Sequence, residues 1–270
     1  MYHAGIFYIL LMVGFSPFLK AQSDLVAPTK IFFKPFQFGV QLENYRYVEP
    51  GLISHSGLLF GIHGSAAWAY SENAGGFILG EINSGELNYD GALCDVNTNV
   101  CTEYKAKTND VILRLTHRFD YAVSNQFHFF AGPGFRCLID RGQGAGFYTR
   151  MASYLFLPAG ITLAADNYSF EFEYDFFMKG MIKSHLSEVN STYEDITHSQ
   201  ENGKAFRVMA SGRFTNVTTV PLVLSLYYEK RELPSSEPKE LRINGLQSGK
   251  FYKEPENITE VLGFRAAIIY

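Results

Sequence analysis

The chain has 270 residues, 23 Lys+Arg against 27 Asp+Glu, a formal charge of −4 and 47% hydrophobic residues. That is too apolar for a disordered chain, and the mild acidity argues against the basic face of a nucleic-acid binder. Three cysteines exclude a disulfide-dense small domain, while 24 Gly, 24 Phe and 17 Tyr suit twisted β structure with aromatic rings at an interface.

In chain order, the first element is an address. Gly5 to Phe15 is one apolar run that Pro17 ends. A membrane helix needs roughly 20 such residues, so the run is too short to span. With small Ala21 at a cleavage point, residues 1–21 read as a secretory signal peptide and 22–270 as the mature domain. The segment before the run carries no Lys or Arg, only His3, which departs from the usual pattern.

Beyond it the pattern has period two, the signature of strands. In Pro35 to Val48, Phe36, Phe38, Val40 and Leu42 oppose Gln37, Gly39, Gln41 and Glu43. In Ser56 to Tyr70, Leu58, Phe60, Ile62, Ala66, Trp68 and Tyr70 oppose mostly small residues with His63 and Ser65. Asp110 to Ala122 sets Val111, Leu113, Leu115, Phe119 and Tyr121 against Arg114, Thr116, Arg118 and Asp120, with His117 on the apolar side. Tyr168 to Ile182 sets an aromatic face against Ser169, Glu171, Glu173, Asp175 and Lys179. Lys204 to Thr215 opposes Phe206, Val208, Ala210 and Phe214 to Arg207, Ser211 and Arg213. Thr259 to Tyr270 opposes Leu262, Phe264, Ala266, Ile268 and Tyr270 to Gly263, Arg265 and Ala267. Phe77 to Tyr89, Gln126 to Ile139, Met151 to Ala164 and Pro221 to Arg231 are looser candidates. The total is ten, with eight or twelve as alternatives.

Short connections (71–76, 123–125, 165–167 and 216–220) alternate with longer ones (49–55, 90–109, 140–150, 186–203 and 232–258). Short turns on one rim and long loops on the other form the layout of a bacterial outer-membrane barrel. A lipocalin-like barrel or a β-sandwich alternates too. Several of these strands exceed the five or six residues common in soluble sheets, and a small-residue polar face suits a narrow lumen. Aromatic residues gather at strand ends, where they would sit at headgroup level: Tyr45 and Tyr47, Trp68 and Tyr70, Phe119 and Tyr121, Phe127 and Phe129, Phe147 and Tyr148.

With its signal-like segment, alternating strands, loop asymmetry and terminal aromatic Tyr270, the chain resembles the small monomeric outer-membrane β-barrel proteins of Gram-negative bacteria. The terminal pattern departs in ending on Tyr rather than Phe and in the distance of Gly263 from the end. The resemblance implies an all-β, transmembrane up-and-down antiparallel β-barrel of about ten strands in the cell outer membrane. It implies a monomer contacting outer-membrane lipid, inserted by the barrel-assembly machinery; the residue spacings lead us to expect no cofactor. A non-enzymatic scaffold presenting loops to an extracellular ligand is the first functional expectation. A narrow channel and a lipid or peptide hydrolase are the alternatives.

In this register the lumen receives Glu43, Arg114, Arg118, Asp120, His128, Arg136, Glu171, Glu173, Asp175, Lys179, Arg207, Arg213, Glu229 and Arg265. Glu171, Glu173 and Asp175 form an acidic row that repels itself unless cations face it. Antiparallel pairing predicts Arg213 near Glu171. A salt-bridge lattice fills such a lumen; a charged ring that selects ions is the other reading.

His63 and Ser65 share a strand face and are the catalytic candidates, since an activated serine needs a base within reach. Their inward parity favours two lumen residues instead. Omptin-like proteases carry an Asp pair and a His-Asp pair near the outer rim; Glu188, Glu194, Asp195 and His198 share one long loop here without that tight motif. Cys94 and Cys101 predict a disulfide closing the 90–109 loop, and Cys137 reads as a lipid-facing hydrophobe. No Cys/His spacing points to zinc and no glycine pattern to a phosphate loop.

Overall fold

Successive residues of a strand point to opposite faces, so this alternation builds antiparallel sheet. The computed structural model describes residues 36–94, 101–144, 146–215 and 220–270, with backbone alone at 93, 94 and 101. The expected signal segment, 1–21, lies outside them. The strands are β1 (Phe36–Glu49), β2 (Ile53–Ala69), β3 (Ala74–Cys94), β4 (Cys101–Ala122), β5 (Phe127–Ala131), β6 (Gly134–Gln143) and β7 (Thr149–Ala165). After these come β8 (Tyr168–Ser184), β9 (Ile196–Gln200), β10 (Lys204–Phe214), β11 (Leu222–Leu233), β12 (Lys239–Ile243), β13 (Leu246–Tyr252) and β14 (Asn257–Ile269). Leu186–Glu188 makes one 3-10 turn.

Twelve strands form one sheet in the order β5-β7-β6-β4-β3-β2-β1-β14-β11-β10-β8-β9, with further pairings β5–β4 and β7–β8; β12 and β13 form a separate hairpin. β1 is in register with β2 on one side and β14 on the other. β7 pairs along its length with β8. The sheet curls so that its small and polar face is the buried one.

The described strands number fourteen, not the expected ten, for two reasons. The predicted strand 126–139 divides at Gly132 and Pro133, because proline has no N–H for the ladder. Gly132 N–H still donates to Pro158 O at 3.0 Å, and His117 N–H to Pro133 O at 2.9 Å. A Cβ at Gly132 would lie 2.1 Å from His117 O, so the close crossing needs glycine. The other three strands arise in predicted loops: β9 within 186–203, β12 and β13 within 232–258. The predicted 90–109 loop is mostly a continuation of the β3–β4 hairpin.

The outward face carries an apolar belt. Phe38, Val40 and Leu42 stand on β1, Leu58, Phe60 and Ile62 on β2, and Phe170, Phe172 and Phe176 on β8; Phe60 is 64% exposed. Near the short-turn rim, Trp68 stacks on His117 (5.7 Å between centroids) and meets Tyr70 edge-on, while Tyr70 stacks on Phe119. His117, the odd residue on an apolar face, is thus part of an aromatic girdle. Toward the long-loop rim the outward residues become polar: Asn44 and Arg46, Ser84 and Glu86, Lys107 and Asn109.

Three expectations are corrected. Tyr45 and Tyr47 share the parity of Glu43 and are buried inside rather than sitting in a girdle. Phe147 and Tyr148 line a cavity at the long-loop rim. Lys179 faces outward: the register jumps where Leu155 pairs Lys179 but Phe156 pairs Phe177, leaving Met178 unpaired. One extra residue reverses the parity of everything beyond it.

Candidate functional site

The inward charges form a lattice across the enclosed space. Arg114 on β4 lies 2.8 Å from Glu229 on β11 and also meets Glu173 and Asp175 on β8. Arg207 on β10 reaches Glu81 on β3 at 2.9 Å and Glu229 at 2.7 Å. Arg265 on β14 meets the same Glu81 at 2.6 Å. Arg231 joins Glu229 at 3.0 Å and Asp175 at 3.5 Å. Arg118 takes Glu171 at 2.9 Å and Asp120 at 3.4 Å. Glu43 accepts hydrogen bonds from Tyr227 Oη and, at 3.2 Å, from Asn83 Nδ2. Gly263 makes this possible, since a Cβ there would lie 2.1 Å from the Tyr227 ring. Each arginine here has a carboxylate, as burial requires. The acidic row is shared out: Glu171 to Arg118, Glu173 to Arg114, Asp175 to Arg114 and Arg231.

Arg213 does not reach Glu171. The register sets Met209 opposite Glu171 and Arg207 opposite Glu173. β8 begins at Tyr168, opposite Gly212, so Arg213 lies past its end, where its N–H donates to Asn167 O at 2.7 Å. Among the described residues Arg213 forms no ion pair; with His128 it lines a small lower cavity of about 170 Å³. Arg136 faces the interior in register with Arg114 and Tyr154. His63 and Ser65 also line the lower cavity, beneath the lattice, with no hydrogen bond between them among the described residues. They face neither the apolar belt nor the long-loop rim.

Above the lattice the interior is filled by an apolar cluster that includes Tyr45, Leu59, Leu87, Tyr154, Ile182 and Val261. Above that opens a vestibule of about 970 Å³. In its wall Arg150 is held by Glu49 at 3.0 Å, Glu254 at 2.7 Å and Tyr47 Oη at 3.0 Å.

Deeper in the same wall, His55, Asp110 and Asp140 each offer an atom within 4.8 Å of the others. Asp110 and Asp140 are partners across the β4–β6 ladder, and His55 Nδ1 lies 3.8 Å from Asp140 Oδ2. Thr108 Oγ1 donates to Asp110 Oδ1 at 3.0 Å. The His55 ring packs between Tyr47 and Tyr89, at 5.5 and 5.2 Å between centroids. The belt has ended at this level: it stops at Leu58, Val111 and Ile139, and the outward residues beyond are Ser56, Asn109 and Arg141. Burial drives these groups away from charge. Burial, then the facing Asp140 charge, raises Asp110. Burial raises Asp140 against the pull of Arg150. Burial, then Arg150, pushes His55 down to about 4.

The loop residues do not converge. Asp195 accepts from Ser187 Oγ at 2.7 Å and faces Lys183 and His185; burial raises it, but these donors hold it below the usual carboxylate range. Glu194 lies 3.9 Å from Arg242. Glu188 accepts the Thr149 N–H at 2.7 Å, which lowers it. His198 Nε2 lies 3.0 Å from Tyr252 O. These contacts dock the loop on β7, β8, β12 and β13.

Sequence reasoning missed Glu81, Arg231, Arg150 and the His55–Asp110–Asp140 group. Parity could have found Glu81, but Phe77, Leu79 and Leu87 on its own face blurred the alternation. Cys94 and Cys101 are register partners at the tip of the β3–β4 hairpin; their side chains lie outside the described residues.

No family model matches the sequence, and no curated protein matches it. In three dimensions the chain is similar to the outer membrane protease OmpT from Escherichia coli, with TM-score 0.51 and 11% identity, covering 92% of this chain and 99% of that one. The translocator domain of autotransporter NalP from Neisseria meningitidis gives TM-score 0.42 and 10% identity, covering 99% and 98%. Ail, the attachment invasion locus protein of Yersinia pestis, gives 0.32 and 11%, covering 87% and 99%. The first likeness identifies an outer-membrane β-barrel fold, and the class-level resemblance read from the sequence holds.

Proposed function

We propose that the chain is a monomeric barrel of ten staves in the bacterial outer membrane, which does not conduct and binds an extracellular ligand at its long-loop mouth. β5 and β6 serve as one stave, and the β7–β8 pairing supports closure. Closure leaves no backbone group unpaired against lipid. The long loops face the exterior, with the β12–β13 hairpin and a Cys94–Cys101 bridge as parts of the presented surface.

One observation carries the non-conducting reading. The ion-pair lattice and the apolar cluster lie between the lower cavity and the vestibule. An ion would have to displace buried, paired charges to pass. Refolded protein in planar lipid bilayers is expected to seal without discrete current steps; reproducible steps would replace this reading with a pore.

A hydrolytic reading draws on the same mouth, because a carboxyl pair beside an imidazole is an acid–base set. It predicts cleavage of added peptides or lipids by whole cells, lost on Asp140→Asn. Intact substrates leave the binding reading standing.

A further inference from the structure

We infer that His55, Asp110 and Asp140 form a binding site for one divalent transition cation of the zinc type, reached from the vestibule. The inference goes beyond ligand binding at the mouth and holds whether or not a partner docks there.

Three observations carry it. The first is convergence: three different strands, β2, β4 and β6, bring one nitrogen and two oxygen donors within 4.8 Å of one another. The second is unused bonding capacity in a buried place. Among the described residues Asp110 Oδ2 and Asp140 Oδ1 have no hydrogen-bond partner, and His55 Nδ1 stands 3.8 Å from Asp140 Oδ2, beyond hydrogen-bond reach, while His55 is 3% and Asp110 1% exposed. Buried polar atoms are rarely left so. The third is support from behind. Thr108 holds Asp110 Oδ1 and leaves the other oxygen free, and two tyrosine rings fix the imidazole plane. Outer contacts of this kind orient metal ligands.

Charge and geometry choose the ion. Two carboxylates directly opposite on a ladder repel, and a divalent cation between them cancels both charges. An imidazole donor favours first-row transition ions, and three donors fall short of the six to eight oxygens that calcium takes. Bonds of 2.0–2.1 Å in a tetrahedron put ligands about 3.3 Å apart. The 3.8 Å separation of His55 Nδ1 and Asp140 Oδ2 must close by about 0.5 Å, and the widest pair of the group, within 4.8 Å, by up to about 1.5 Å, which side-chain rotation supplies. The fourth position faces the vestibule, which His55 and Asp140 line. That leaves room for water or for a ligand's own donor.

The test uses refolded, chelator-stripped full-length protein in detergent. Calorimetric titration with zinc chloride is expected to show one tight equivalent and a rise in thermal midpoint. Cobalt in place of zinc should give the visible bands of a four-coordinate nitrogen–oxygen site, a readout on the unmutated chain. Asp110→Asn should weaken zinc by more than about tenfold, whereas His185→Ala, beside the surface pair with Asp195, should leave binding unchanged. Failure of the unmutated chain to take up zinc would overturn the inference, as would Asp110→Asn binding as tightly as the parent. Neither result bears on whether the mouth binds a partner or the barrel conducts.

Discussion

Arg207 touches two strands at once, Glu81 on β3 and Glu229 on β11, with its guanidinium also 5.0 Å from the Tyr227 ring centre. Removing it leaves two buried carboxylates short of a cation, and breaking a buried pair costs about 3–5 kcal/mol. Arg213 has no carboxylate among the described residues, so its loss strands nothing. Urea unfolding in detergent should therefore show Arg207→Ala strongly destabilised and Arg213→Ala close to the parent; equal losses would mean that the lattice geometry is wrong. Parity was enough to place Arg114, Arg207 and Glu173 inside. It could not say which carboxylate each arginine takes, because that depends on side chains reaching across the lumen from strands far apart in sequence. The His55 group was harder still. Its ligands come from three strands with no common spacing, and only the assembled ladder puts Asp110 beside Asp140.

At the scale of elements, most strands were legible together with their ends. β1, β2, β7, β8 and β10 begin and end within a few residues of expectation, because a strand with one apolar face has a single register that buries the other. Two devices were hidden. The bulge at Met178 inserts a residue without interrupting the apolar alternation, so parity alone puts Lys179 on the wrong face. The β3–β4 hairpin continues past the apolar belt on polar residues, which read as a loop. That continuation gives the cysteines a definite relation: Cys94 and Cys101 face each other in register, and partners across an antiparallel ladder have Cα atoms about 4.5–5.5 Å apart, within disulfide reach. Thiol titration of denatured, unreduced protein should count one free thiol per chain, Cys137. Three would exclude the bridge.

At the scale of the whole molecule the interior has two seals of different physics. The lower one is electrostatic, the lattice around Glu81, Arg114, Arg207 and Glu229. The upper one is apolar, with Tyr45, Leu59, Leu87 and Ile182 fully buried. Alternation announced a polar interior, yet could not reveal that this interior becomes a conventional core above the apolar belt, because Tyr45 and Tyr47 read equally well as interfacial rings. The two layers should act in series. Replacing Arg207 and Glu229 together by alanine removes a cation and an anion and opens the lower layer, but ions still meet a dry apolar constriction, which blocks by dewetting. Replacing Tyr45 and Tyr154 by alanine opens the upper layer and leaves the lattice shut. Each pair alone should stay silent in planar bilayers, and the quadruple variant should conduct, provided that heat-dependent gel migration shows each barrel folded. Current steps from Arg207→Ala with Glu229→Ala alone would assign the whole barrier to the charges and leave the apolar layer a stabilising role only.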